Sequence, residues 1–178
     1  MEIERKFLVE KLPELPAGVR VAEVSADIMR SVSLMEAPQG ALFACRMPED
    51  SPAKITPGCV VLDGIQDPGN LGTILRTADA LDVPVILTEG CADAYNPKVV
   101  RASMGAVLRT PPRGLKKADV VRACREQGVQ LLATAMSADA RDVRDVSLPL
   151  AATVIGSEGR GVCPELLAAA DGKVIIPM

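Results

Sequence analysis

The feature that most constrains the fold is a series of short, unbroken apolar runs that alternate with helical patterns from about residue 58 onward. The runs are CVVLDGI, VPVILTEG, VQLLATA, LAATVIGSEG and KVIIP. A strand with one face in solvent alternates apolar and polar residues, whereas a continuous run is typical of a parallel strand covered on both faces. The sequence therefore predicts an α/β fold with a mostly parallel sheet, helices on both faces, and ligand sites at the carboxyl ends of the strands.

Helical patterns fill the segments between these runs. We expect helices over residues 71–81, at the start of NPKVVRASMG with Pro97 in its first turn, over KADVVRACREQG ending at Gly128, and over CPELLAAADG. Three further β-type runs predict strands at VRVAEV (19–24), GALFAC (40–45) and AVLRTP (106–111). Ser25 is expected to cap a helix between the first two of these.

Histidine is absent from the chain, and its absence excludes several kinds of active site. Without it there is no Ser-His-Asp triad and no imidazole metal ligand, so any chemistry must use carboxylates, Arg, Lys, Ser or positioning alone. With no signal-peptide pattern and no apolar run of membrane-spanning length, we expect a soluble, cytoplasmic protein. The cysteines form no CxxC pair and predict free thiols; they are Cys45, Cys59, Cys91, Cys124 and Cys163.

The stretch LDGIQDPGNLGTILRTADAL, residues 62–81, leads from the first apolar run through a turn into a helix, as phosphate-binding loops do. It lacks the Gly-Lys-Ser/Thr of a P-loop, and its glycines are not spaced as in a dinucleotide fingerprint. Asn70 at the helix entrance is suited either to cap the helix or to reach a ligand. Arg76 lies off the apolar stripe of the helix. Asn70, Gly72 and Arg76 therefore either surround one pocket or belong to a capped helix with a solvated arginine.

A second glycine-rich loop, VIGSEGRGV at residues 154–162, follows another apolar run. Gly156, Gly159 and Gly161 permit the backbone to approach a flat ligand, and Glu158 adds one charge. Two such loops, each after a buried strand, indicate a ligand site more strongly than either loop alone.

These segments resemble the SpoU (TrmH-like) branch of the SPOUT RNA 2'-O-methyltransferases. LDGIQDPGNLGTILRTADALDV looks like the first motif of that family, NPKVVRASMGAVLR like its middle segment, VIGSEGRGV like its second motif and VIIPM like the start of its third. The resemblance covers residues 58–178. It implies a sheet threaded into a trefoil knot, S-adenosylmethionine as the cofactor, rRNA or tRNA as the substrate, a homodimer and no metal.

The resemblance also implies roles for individual residues. Arg76 is expected to bind RNA and stabilise a developing alkoxide rather than act as a base, because a guanidinium resists deprotonation. Asn70 is expected to orient Arg76 or the substrate, and Glu158 to hold the loop or the RNA. Arg101 and Ser103 are expected to contact RNA, although Ser103 is equally suited to be an ordinary helix-end hydroxyl. The implied cofactor-binding residues are Ala133, Thr134, Ile155, Gly156, Gly159, Ile175 and Met178.

RNA binding requires a local basic surface, because the formal net charge of −3 provides no global attraction. The candidates lie between residues 76 and 117: Arg76, Lys98, Arg101, Arg109, Arg113, Lys116 and Lys117. They either supply phosphate contacts or form an ordinary solvated surface.

The rest of the chain predicts three further segments. Residues 17–48 resemble the tail of the small substrate-binding domain that often precedes this catalytic domain, and residues 49–57 belong to a proline-containing linker. Residues 1–16 form a charged leader. Its Glu-x-Glu-x-Lys spacing resembles the opening of CYTH-type triphosphate tunnel enzymes, although nothing after residue 16 continues that pattern.

Three functions remain open from the sequence. The first is an RNA 2'-O-methyltransferase, and the second is an RNA-binding module that keeps the fold without catalysis. The third is a nucleotide-binding α/β protein, against which the missing phosphate-loop lysine counts.

The end of the sequence generates a prediction about cofactor affinity. The family strand that VIIPM resembles continues into a loop and a helix that close the adenine pocket, and this sequence ends at IIPM. We therefore expect this chain to bind S-adenosylmethionine weakly or not at all, and to show no turnover. Titration calorimetry is the measurement, and micromolar binding would contradict the expectation.

Overall fold

The computed structural model describes residues 17–35, 37, 40–44 and 54–177. The chain divides into two compact units, Met1–Met47 and Pro48–Met178. The leader at residues 1–16 and most of the predicted linker lie outside the described residues. Within the described ranges, no helix combines the length and the apolar character needed to cross a bilayer.

In the first unit the predicted helix is confirmed and the predicted strands are not. Helix α1 spans Ala26–Val32, and the Ser25 side chain accepts a hydrogen bond from the Ile28 N–H at 3.4 Å. Residues 19–24 and 40–44 belong to no strand, and Cys45, the last residue of the second run, lies outside the described residues. An apolar run becomes a strand only where a neighbouring strand pairs with it, and isolated strands are marginal in water.

The second unit contains one seven-stranded sheet in which every neighbouring pair is parallel, as predicted. The strand order is β3-β2-β1-β6-β4-β7-β5. The strands are β1 (Val60–Asp63), β2 (Val85–Leu87), β3 (Arg113–Gly114), β4 (Gln130–Thr134), β5 (Arg141–Asp142), β6 (Ala151–Gly156) and β7 (Gly172–Ile175). Sequence patterns missed β3 and β5, since a two-residue strand has no periodicity to detect.

Helices cover both faces of this sheet. The helices are α2 (Pro68–Ala80), α3 (Pro97–Ala102), α4 (Ala106–Arg109), α5 (Lys117–Gln127) and α6 (Pro164–Ala169). Successive residues of a strand point to opposite faces. Leu62 accordingly packs in a cluster with apolar side chains of α2, α3 and α4, and Val61 packs in a second cluster with those of α5 and α6. Two short 3-10 turns, Val143–Asp145 and Leu148–Leu150, precede β6.

The strand predicted at residues 106–111 is wrong, because residues 106–109 form helix α4. Met104 and Gly105 have φ angles of +52° and +84°, and this left-handed turn separates α4 from α3. The Arg109 Nε donates to Asp79 Oδ2 of α2 at 3.1 Å, and Val107 is fully buried. Long-range packing on α2 therefore overrides the β-type composition of this short segment.

Gly72 permits the close approach of α2 and α3. A Cβ atom at this position would lie 2.5 Å from the Ala102 Cβ and 2.7 Å from the Val99 carbonyl oxygen. Real Cβ atoms do not approach other heavy atoms so closely, so a side chain here would force the two helices apart. Gly72 therefore belongs to the packing face of α2 and not to a pocket with Asn70 and Arg76.

We predict that Gly72→Ala destabilises the protein by about 1–2 kcal/mol. Alanine gains up to about 1 kcal/mol in helix propensity, but overpacking costs about 1–3 kcal/mol and the contact with backbone leaves little room to relax. The midpoint of urea unfolding is the measurement. Gly114→Ala is the control, because a Cβ there meets nothing within 4 Å. Equal midpoints for the two variants would contradict the packing account.

Candidate active site

The sheet places the carboxyl ends of β1 and β6 side by side. In the register of this parallel pair, Leu62 lies opposite Ile155 and Asp63 opposite Gly156. From β1 the chain continues outward through β2 to β3, and all later strands lie on the other side of β1. In open α/β sheets such a reversal of direction opens a crevice at the strand ends, where ligands bind. The two loops singled out in the sequence both start at this crevice.

A hydrogen bond joins the two loops across the crevice. Asn70 Nδ2 donates to Glu158 Oε1 at 2.5 Å, between residues 88 positions apart in the sequence. The cap of α2 is Asp67, whose Oδ1 accepts from the Asn70 backbone N–H at 2.8 Å. Asn70 therefore does not cap the helix, and the partner of its side-chain amide is Glu158.

Asp63, which sequence reasoning missed, is the buried anchor below these loops. Its side chain is only 3% exposed, and three groups contact it. The Thr88 hydroxyl donates to Oδ1 at 2.8 Å, the Cys163 backbone N–H donates to Oδ2 at 2.7 Å, and the Lys117 ammonium lies 3.2 Å from Oδ1. The carboxylate thus connects the end of β1 with β2, α5 and the end of the second loop.

The charge state of Asp63 follows from these contacts. Burial by itself raises the pKa of a carboxyl group, but the Cys163 N–H, the Thr88 hydroxyl and the Lys117 ammonium stabilise the anion and bring the pKa of Asp63 below its ordinary value. A carboxylate at the end of an otherwise apolar strand, as in VVLD, was the one signal in the sequence that could have revealed it.

The second loop folds back on itself directly after β6. The Gly161 N–H donates to the Ser157 carbonyl oxygen at 2.8 Å, and these residues pair as an isolated antiparallel bridge. A Cβ on Gly156 would lie 2.0 Å from the Gly161 carbonyl carbon and 2.1 Å from the Val162 nitrogen. The closure of its own loop therefore requires glycine at position 156, whatever ligand lies above. Around Gly159 a Cβ would meet nothing within 4 Å.

Most of the expected cofactor residues lie together at the ends of adjacent strands. Ala133 and Thr134 end β4, Ile155 and Gly156 end β6, and Ile175 ends β7. Strand β4 lies between the other two strands. Ala133 is fully buried, whereas the other four are half-buried at the edge of the sheet. Met178 lies outside the described residues.

The expected RNA-binding residues lie on α2 and at the end of α3. Arg76 and Arg101 are exposed, and no hydrogen bond or ion pair joins the Arg76 guanidinium to another residue of the described ranges. Asn70 contacts Glu158 rather than Arg76, so a direct orienting bond to Arg76 is not part of this geometry. Ser103 is fully buried, and its hydroxyl donates to the Val100 carbonyl oxygen at 2.8 Å. That arrangement favours the helix-end alternative for Ser103.

The cations of the candidate basic surface differ in their exposure to solvent and in their ion pairs with carboxylates. Arg109 is bound by Asp79 on α2, and Lys117 by Asp63, so each is neutralised by a carboxylate. The exposed members are Arg76, Lys98, Arg101, Arg109 and Lys116, and the half-buried ones are Arg113 and Lys117. The surface available for phosphate is therefore smaller than the sequence suggested.

Two clefts of the second unit lie away from the expected cofactor residues. One, of about 460 Å³, lies beside the start of β4 between α5 and α6 and includes Gln130 and Asp171. The other, of about 440 Å³, lies at the ends of β2 and β3 and includes Glu89 and Gly114. Neither cleft coincides with the place where the two loops and the ends of β4, β6 and β7 meet, and that meeting point is the candidate site. Among the described residues, no group of three His, Cys, Asp or Glu side chains is arranged to hold a metal ion.

Comparison with known proteins identifies the family. Residues 57–178 match the model of the SpoU rRNA Methylase family. The chain belongs to the SpoU family. The resemblance expected from the two loops is thereby confirmed, and members of this family are RNA methyltransferases that use S-adenosylmethionine.

Relatives of this SpoU protein include a Bacillus subtilis 23S rRNA (guanosine(2553)-2'-O)-methyltransferase, RlmP, which is 32% identical over 99% of this chain and 73% of its own length. A TrmH-family protein from Porphyromonas gingivalis matches with a TM-score of 0.73 and 35% identity, over 93% of this chain and 64% of that one. An AdoMet-bound rRNA methyltransferase from Sinorhizobium meliloti matches with a TM-score of 0.65 and 36% identity, over 73% and 52%. This chain thus spans only about half to three quarters of the proteins it matches, and these matches confirm the fold class.

The strand-end residues of this SpoU protein fit the cofactor of the family. S-adenosylmethionine combines an adenosine, which needs apolar walls and backbone partners, with a charged sulfonium. Ile155 and Ile175 provide half-buried apolar walls, Thr134 adds a hydroxyl, and Glu158 is an exposed carboxylate on the neighbouring loop.

We predict that Asp63→Asn destabilises the SpoU domain by on the order of 2 kcal/mol at pH 7, because an amide cannot accept from both Cys163 and Thr88 and leaves Lys117 without its counter-charge. The pKa of Asp63 is lower in the folded chain than in the unfolded one. The carboxylate therefore stabilises the fold at neutral pH, and this contribution disappears as the pH falls through the folded-state pKa.

Urea unfolding of both proteins between neutral and acid pH is the measurement. The difference between wild type and variant should shrink below pH about 4, where an unfolded aspartate becomes protonated. Asp139→Asn is the control, since its ion pair with Lys173 is exposed and should matter little. A difference that does not depend on pH would contradict the assignment.

Proposed function

We propose that the activity this protein serves is the transfer of a methyl group from S-adenosylmethionine to a ribose 2'-hydroxyl of rRNA or tRNA, while the isolated 178-residue chain is expected to bind the cofactor weakly and to show no turnover. The observation that carries this proposal is the Asn70–Glu158 hydrogen bond, which joins the first and second family motifs at the junction of β1 and β6. The names of the relatives, among them a 23S rRNA 2'-O-methyltransferase, support the same substrate class.

Arg76 is the proposed RNA-binding residue on the acceptor side. Arg76 lies about two turns into α2. Its guanidinium is exposed, and no carboxylate of the described residues binds it. A free, permanently charged guanidinium is suited to bind a phosphate and to stabilise the alkoxide that forms as the 2'-hydroxyl attacks. Asn70 and Glu158 would fix the relative position of the two loops, so that the acceptor hydroxyl is aligned before reaction.

The donor side would be formed by the ends of β4, β6 and β7. When bound there, S-adenosylmethionine supplies an electrophilic methyl group. Thr134, Ile155 and Ile175 would hold its adenosine and exclude water, with Ala133, Gly156 and Gly159 contributing backbone. The acceptor side would be on β1 and the donor side on β6. These two strands are neighbours in the sheet, which supports an in-line arrangement of the attacking hydroxyl and the methyl donor. A homodimer, a trefoil knot and a metal-free reaction are further parts of the proposal.

We predict that Arg76→Ala, introduced in the gene of the source cell, lowers one ribose 2'-O-methylation by about a hundredfold or more, since removing one charge-stabilising donor typically costs that much. Sequencing-based mapping of 2'-O-methyl groups in rRNA and tRNA is the measurement. Arg122→Ala is the matched control, because Arg122 is an exposed arginine of α5 on the opposite face of the sheet.

The same experiment separates the proposal from its alternative. If the protein is an RNA-binding module without catalysis, crosslinking will recover RNA with the wild-type protein while the methylation map stays unchanged in the Arg76 variant and in a deletion strain. A map unchanged by deletion would overturn the proposed function.

A further inference from the structure

The cleft at the ends of β2 and β3 lies beside the acceptor loop and has no role in the site described so far. Its volume of about 440 Å³ falls within the range of ligand sites, about 300–1,000 Å³. Its lining includes the apolar residues Leu87, Ala92 and Leu115 and the acidic residues Glu89 and Asp93. The cleft is open to solvent and all its lining residues lie within the described part of the second unit.

Direct hydrogen bonds connect the wall of this cleft to the acceptor loop. The Ala92 N–H donates to the Ile65 carbonyl oxygen at 2.8 Å, and the Thr88 N–H donates to the Leu62 carbonyl oxygen at 3.0 Å. The Cys91 thiol also donates to the Leu62 carbonyl oxygen, at 3.3 Å. Residues 88–92 and the loop that leads to α2 are therefore one connected structure, so a group bound in the cleft lies next to whatever the acceptor loop holds.

The charges at the cleft select the chemistry of its ligand. Two carboxylates, Glu89 and Asp93, and one ammonium, Lys116, border it. Glu89 is oriented, because its Oε2 accepts from the Lys117 backbone N–H at 3.2 Å at the start of α5. Carboxylates accept hydrogen bonds and do not donate them, so they repel a phosphate and attract an amino group. Apolar lining residues together with hydrogen-bond acceptors suit the apolar face and the amino group of a nucleobase.

We propose that this cleft binds a nucleobase with an exocyclic amino group, from the substrate RNA and adjacent to the methylated ribose. The proposal rests on the proposed function for its source of ligand. It assigns to Glu89 and Asp93 the role of accepting from the amino group, and to the small residues Ala92 and Gly114 the role of leaving room for the ring.

Nucleosides without phosphate test the cleft separately from methyl transfer. Amide NMR shifts of the chain are followed during titration with cytidine, uridine, guanosine and inosine. Cytidine and uridine differ in the amino group at position 4, and guanosine and inosine in the amino group at position 2. We expect shifts at residues 87–94 and 114–116, and about fivefold or tighter binding of the amino-bearing member of at least one pair, the size of a hydrogen bond to an exposed carboxylate.

Two variants and one control locate the binding. Gly114→Leu should abolish the shifts by filling the cleft, and a Cβ at Gly114 meets nothing within 4 Å, so the fold can accept it. Glu89→Gln should keep the hydrogen bond to the Lys117 N–H through its amide oxygen but reduce the preference for amino groups. Ala118→Leu, an exposed position of α5 outside the cleft, is the control and should bind like the wild type.

The outcomes are distinguishable from failure of the proposed function. Shifts confined to residues 154–158 or to the other cleft, equal affinity within both nucleoside pairs, or binding that survives Gly114→Leu would each overturn the proposal. None of these results depends on whether the methylation map changes in the Arg76 variant.

Discussion

The ionised Asp63 carboxylate is the interaction on which the rest of the site depends. It is nearly inaccessible to water, and it receives hydrogen bonds from Thr88 and Cys163 and the charge of Lys117. A buried charge without partners would cost several kcal/mol, so the chain segments that supply these partners cannot move away independently. The loop after β6 is thereby held at the end of β1, which brings Glu158 within reach of Asn70.

Local patterns in the sequence predicted the strands and helices whose formation depends mainly on residues close together in the chain. Continuous apolar runs gave the parallel sheet, and the residues at their ends, such as Thr134, Ile155 and Ile175, proved to share one edge. The partners of Asp63 come from positions 88, 117 and 163, and no spacing rule connects these positions. Contacts between residues distant in the sequence also explain the strand predictions that were wrong. Residues 19–24 find no pairing strand, and residues 106–109 pack on α2 as a helix.

In the proposed reaction, neighbouring strands carry the two sides of the site. The acceptor side would follow β1 and the donor side would follow β4, β6 and β7, and the two would meet at the crevice between β1 and β6. Glycine serves this geometry in two places, by letting α3 approach α2 at Gly72 and by letting the second loop close over Gly156. The cleft beside β2 and β3 extends the acceptor side further, through backbone hydrogen bonds to the loop that precedes α2.

Hydrogen exchange at the Cys163 amide tests the role of Asp63 most directly, because this N–H donates to the carboxylate at 2.7 Å and takes no part in the backbone hydrogen bonds of the sheet. Exchange is measured by NMR in the wild type and in Asp63→Asn, with Asp139→Asn as the control. We predict that the substitution of Asp63 speeds exchange at Cys163 by about tenfold or more relative to the wild type, since local opening no longer breaks a charged hydrogen bond. Unchanged exchange at Cys163 would show that the second loop is held by other contacts and would contradict the account.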